Sequence, residues 1–271
     1  MTWGDLAQHT VALLVYPGAL AMAVFGFAAE LVTLWALPGH RTGPVAALLG
    51  TPRAPSVLVV AAALLALLAA SQTTFPYSPV PAAESSVLVA ALAVSGAIWA
   101  DWIGGADKDA PSMLGVQAAW LLALLAPAVI PQDLHPQVLG AIVVQGLLPL
   151  KVCAGLLYLV CLPPLLQIIP TRTASGRPRG HRPRIPHALL WLPLCGLFTS
   201  AYLPPPDADV PGVLGFFAVT AGAAVLSLVV AAALGRSPET IQNILYRQGI
   251  AALAVATAIA ALVTSFLVRG A

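Results

Sequence analysis

"LLVYPGALAMAVFGFAAELVTLWALPGHRTGP" spans Leu13–Pro44. Between Leu13 and Leu37 its only charged side chain is Glu30. Beyond that the chain enters "GHRTGP", a tight turn carrying Arg41, Gly43 and Pro44. A run of about 20 mostly apolar residues crosses the hydrocarbon core of a bilayer. A Gly- and Pro-rich turn sets the path of the chain at its end. The stretch therefore reads as a membrane helix with its exit, and it raises the question of what a carboxylate does so near that exit.

The same balance holds throughout. Of 271 residues, 59% are hydrophobic and 8% charged, against about 25% charged in an ordinary soluble domain. Such a chain cannot cover a water-facing surface, so lipid is its expected solvent. The net charge of +2 is too small to point to nucleic acid. The five histidines are scattered, without metal-ligand spacing. Cys153, Cys161 and Cys195 lie in apolar runs and read as small buried hydrophobes. The N-terminus lacks a basic n-region and a small-residue cleavage site, so no removable signal peptide is expected.

Eight apolar runs follow one another: His9–Leu37, Ala54–Ala70, Ser85–Trp102, Leu114–Ile130, Gln137–Ile169, Ile185–Leu203, Val210–Leu234 and Gly249–Val268. They are too long and too continuously apolar for barrel strands. The expected fold is all-α: one polytopic membrane domain over residues 1–271 with about eight transmembrane helices. The fifth run, at 33 residues, would form a straight helix of about 50 Å. Pro149, Pro163 and Pro164 are expected to kink or break it.

Nine of the twelve basic residues lie in the loops after spans one, five and seven, and the basic loop at about 170–185 carries five arginines. The loops after spans two, four and six hold Glu84, Asp133, Asp207 and Asp209 and no Lys or Arg. Positive charge stays in the cytoplasm, so both termini are expected on the non-cytoplasmic side. The basic loop reads either as a topogenic segment meeting anionic lipid or as a docking patch for an acidic partner.

Polar groups inside such spans are functional candidates because they are costly there. Glu30 reads either as a carboxylate at the mouth of a proton path or as an interfacial acid paired to Arg41 or Arg53. Asp101, beside Trp102, reads as a wet helix end. Lys151, near the middle of the fifth run, pairs with an acid, titrates or snorkels. Gln117 and Gln145 are uncharged polar candidates. "GADKDAP" reads by itself as a solvated turn. No phosphate loop, dinucleotide fingerprint, nucleophile elbow or paired metal motif is present.

Leu13–Pro44 resembles the first span and first cytoplasmic loop of the H subunit of respiratory complex I (subunit 1 in mitochondria). That superfamily includes the membrane anchors of energy-converting hydrogenases and formate hydrogenlyases. The likeness rests on Tyr16-Pro17-Gly18, then Glu30, then Arg41-Thr42-Gly43-Pro44. Two later stretches, "GGADKDAPSMLGVQAAW" (Gly104–Trp120) and "GRSPETIQNILYRQGIAAL" (Gly235–Leu253), are similar to family segments in the same order. The resemblance implies a docking role for Arg41, Gly43, Pro44, Asp107, Asp109 and Arg247. It implies antiporter-like membrane subunits and a peripheral iron–sulfur and large-subunit arm as partners. It also implies a bacterial inner-membrane location, no cofactor bound by this chain, and quinone at a subunit interface. The family's acids in the fifth loop and in the span after Gly104–Trp120 are missing here. That shifts the expectation from quinone chemistry and proton conduction to a scaffold. A stand-alone small-molecule or ion transporter using Lys151, Glu30 and Asp101 is the rival expectation, and a lipid-facing assembly factor a third.

Overall fold

The computed structural model describes residues 2–36, 57–78, 81–104, 110–141, 147–169, 185–207, 209–235 and 244–269. Helices dominate, and the described residues contain no strand. In chain order they are α1 (Trp3–Leu14), α2 (Ala19–Ala36), α3 (Val57–Ser71), α4 (Val87–Gly104) and α5 (Ala110–Leu125). Then come α6 (Pro136–Ala141), α7 (Leu148–Leu165), α8 (Ile185–Tyr202), α9 (Val210–Gly235) and α10 (Ile250–Arg269). Short 3₁₀ turns lie at Ala82–Glu84 and Ala126–Val129, and a π-turn at Ile244–Gly249 leads into α10.

Among the described residues, four stretches are long and apolar enough to cross a membrane: Trp3–Ala36, Leu148–Leu165, Val210–Leu234 and Ile250–Leu267. Val57–Ser71, Val87–Asp101 and Met113–Val129 are shorter apolar helices. The first expected span is interrupted at Tyr16–Gly18, where α1 gives way to α2. α1 begins with a capping box: the Thr2 side chain accepts from Asp5 N–H and Asp5 accepts from Thr2 N–H.

Among the described residues the fifth run, which the sequence expects to kink or break at its prolines, contains two helices, α6 and α7. α6 ends at Ala141 and α7 starts at Leu148, with Pro149 in its first turn. Proline has no N–H and suits a helix start, where that donor would be orphaned in any case. Lys151 therefore sits one turn into α7 and not at mid-span. α7 ends just past Pro163-Pro164, after which Gln167 adopts a left-handed backbone (φ 49°).

α8 is the central helix, packed against α2, α3, α4, α6, α7 and α9. Trp191, Leu192, Leu194, Cys195 and Leu197 along it are fully buried. α3 meets α4 through small residues: Ala62, Ala66, Ala69 and Ala70 face Ala90, Ala91, Val94 and Ala97. In lipid, where no hydrophobic force drives helices together, such close backbone approach supplies the attraction. Hydroxyls are satisfied locally: Thr33, Thr220, Ser227, Thr257 and Thr264 each donate to the carbonyl four residues earlier. Trp120, Tyr158, Phe198 and Tyr202 form a chain of ring contacts. Tyr158 Oη donates to Leu194 O (2.7 Å) and Tyr202 Oη to Ala123 O (2.6 Å). Outward faces are apolar, as at Val255, Ile259, Leu262 and Phe266 on α10, each more than half exposed.

Candidate functional site: a buried carboxylate–imidazole pair

Met22, Gly26, Ala29, Glu30 and Thr33 form the buried face of α2. Gly26 sits against the backbone of α8, and a Cβ added there would overlap the Ala188 carbonyl. Only a residue without a side chain lets the two helices approach this closely. One turn further on, that approach brings Glu30 to the start of α8.

There Glu30 has 0% exposure and accepts two hydrogen bonds at the same carboxylate oxygen. Trp191 Nε1–H donates to Oε1 (3.0 Å), and His187 Nδ1 lies 2.7 Å from it. His187 and Trp191 are four residues apart on α8 and so share one face. The other ring nitrogen of His187, Nε2, bonds the carbonyl of Leu166 at the end of α7.

A buried carboxylate is far less costly when hydrogen-bonded than when isolated. Chemically, His187 and Glu30 stand close enough for a proton to pass between Nδ1 and Oε1 with little motion.

Asp101, expected at a wet helix end, is 6% exposed near the end of α4. Gln167 Nε2 donates to its Oδ2 (3.4 Å). α2, α4, α7 and α8 thus converge in one polar cluster. Lys151 stands elsewhere: half-buried, with Nζ donating to Gly140 O (3.2 Å) in the last turn of α6. Gln117 is buried in α5, and its Oε1 has no hydrogen-bond partner among the described residues. Arg41, Gly43, Pro44, Arg53, Asp107, Asp109 and Gln145 lie outside the described residues, as does the side chain of Arg247.

Sequence reading singled out Glu30 and Asp101 but missed His187, Trp191, Gln167 and Gly26. A usable signal existed. His187 follows Pro186 directly at the start of an apolar run, with Trp191 one turn on, and Gly26 precedes Glu30 by one turn. No protein-family model and no curated protein matches the chain.

Proposed function

We propose that the chain is the membrane-anchor subunit of a multisubunit, complex I-like or energy-converting-hydrogenase-like oxidoreductase. In this reading it crosses a bacterial cytoplasmic membrane eight times with both termini outside. Its loops after spans one, three and five hold a peripheral iron–sulfur and large-subunit arm, beside antiporter-like membrane subunits. The observation that carries the reading is the placement of Glu30. It lies near the end of the helix that leads into "GHRTGP", and its partner His187 starts the helix that follows the five-arginine loop. Both loops assigned to docking are therefore neighbours, along the chain, of the two helices that carry this buried pair, so a docked arm would act on the pair through α2 and α8.

Trp120, Tyr158 and Trp191 fill the interior between the described helices, which weighs against the central cavity that the rival transporter needs. The test is purification with native neighbours in mild detergent. The expected result is co-isolation with an iron–sulfur subunit and a large redox subunit. Arg41→Ala should loosen the arm about tenfold or more, the loss of one charge-assisted contact. Glu30→Gln should retain the arm and lower coupled turnover. Partner-free behaviour with substrate-dependent flux would replace the proposal with the transporter.

A further inference from the structure

A cavity of about 260 Å³ lies at the other end of α8. Ser71 closes it where α3 ends, and the 73–78 loop forms one wall. Thr74 N–H donates to Ser200 Oγ (3.0 Å). Since Ser200 and His187 are 13 positions apart on one helix, the cavity is about 20 Å from the Glu30 cluster. Nothing in the proposed function uses it.

Its chemistry is specific in three respects. First, none of the described residues lining this half-open cleft is charged. A charged ligand would lose part of its hydration there with no ion to replace it, which favours a neutral occupant. Second, the polar groups come as both acceptors and donors. Ser71 Oγ donates to Leu68 O (2.8 Å) and accepts from Gln72 Nε2 (3.3 Å), and Thr73 Oγ1 donates to Ala70 O (2.6 Å), so with their protons engaged these hydroxyls can only accept from a ligand. Thr74 is 9% exposed, and its hydroxyl makes no hydrogen bond with a described residue. Gln137, on α6, offers an amide with two donors and one acceptor. A ligand that donates and accepts on neighbouring atoms fits this set, and vicinal hydroxyls do so. Third, Tyr77 and the rings of Pro76, Pro81, Pro205 and Pro206 supply flat apolar surfaces. Tyr77 is held at φ 56°, a conformation uncommon for a bulky residue and found where function demands it. The walls are set in advance: Ser86 N–H donates to Gln72 Oε1 (2.9 Å), and Phe75 rests on Tyr16, Phe216 and Phe217. Preorganisation of this kind lowers the cost of binding.

We propose that this cavity binds a neutral, polyhydroxylated ring, with Thr74 and Gln137 making its direct hydrogen bonds. The same chemistry is offered by a free sugar and by a glycolipid headgroup. The experiment uses the full chain in its native assembly, held in amphipol so that no sugar detergent competes. The probes are D-glucose, octyl glucoside, glucosamine and gluconate, each titrated calorimetrically. Saturable binding of glucose, or of octyl glucoside alone, is expected; the second result assigns the headgroup source. Glucosamine and gluconate should bind at least tenfold more weakly. Thr74→Val, which keeps shape, and Gln137→Leu, at an exposed position, should each weaken binding at least tenfold with unchanged thermal unfolding. Absence of saturable binding by both neutral probes overturns the assignment. So does binding that survives both variants, or equal binding of the charged analogues. None of these readouts depends on whether a redox arm is present.

Discussion

Gly26 decides whether Glu30 reaches His187. The carboxylate has its partner because the backbones of α2 and α8 nearly touch one turn earlier. Gly26→Ala should therefore destabilise the protein by roughly 1–3 kcal/mol, the usual range for overpacking a close contact. It should also shift Trp191 fluorescence, since Trp191 Nε1 bonds Glu30. Gly115→Ala is the control: a Cβ there meets nothing within 4 Å, and Gly→Ala in a helix is favourable by about 1 kcal/mol. Equal thermal unfolding of the two variants would remove Gly26 as the positioning residue.

Among the elements, the interrupted helices carry the polar groups that sequence alone leaves without an address. Lys151 offers its ammonium to the last turn of α6, where carbonyls lack helical partners. At the outer turns, His135 closes a second junction. Its backbone N–H donates to Asp133 Oδ1 (2.9 Å), its Nδ1 lies 2.5 Å from the same oxygen, and its Nε2 lies 3.2 Å from Ala83 O. His9 reaches Glu84 of the same 3₁₀ turn (3.5 Å). The side-chain hydrogen bond from Asp133, then its charge, raises the His135 pKa above its ordinary 6.5. The backbone and ring hydrogen bonds of His135 lower that of Asp133 below 3.8. A raised histidine stabilises fully below its unfolded pKa and loses that contribution as pH rises through the folded value. A lowered carboxylate stabilises above its unfolded pKa and loses it as pH falls through the folded one. The link between the Ala82–Glu84 turn and the segment before α6 is thus complete between about pH 4 and 6.5 and weakens above. The difference in amide exchange at Glu84 between wild type and His135→Gln should be largest near pH 5–6 and shrink by about pH 8. A difference independent of pH would assign the contact to packing alone.

At the scale of the molecule, outward faces of Val, Leu, Ile and Phe surround an interior of small residues and rings. The arginine distribution predicts which end of that bundle faces the cytoplasm. Ser175→Cys, in the basic loop, should resist a membrane-impermeant thiol reagent in intact cells, while Asp207→Cys should react. Cys161 and Cys195 are buried and will not interfere; Cys153 is partly accessible and should be replaced first. The reverse pattern would invert the orientation and detach the docking loops from the cytoplasmic arm.

Helix content and the location of the apolar helices were legible in the chain itself. Lipid-like composition and run length act locally, and proline and glycine mark breaks through their own backbone chemistry, as at Pro149 and Pro163-Pro164. Glu30 stood out for the same reason, as a charge in an apolar run. Its partner did not, because 157 positions separate it from His187 and helical periodicity relates only residues one or two turns apart. Which helices touch is decided in three dimensions by close approach at small residues such as Gly26. That approach turned a carboxylate, a histidine and a tryptophan far apart in the chain into one buried, hydrogen-bonded cluster.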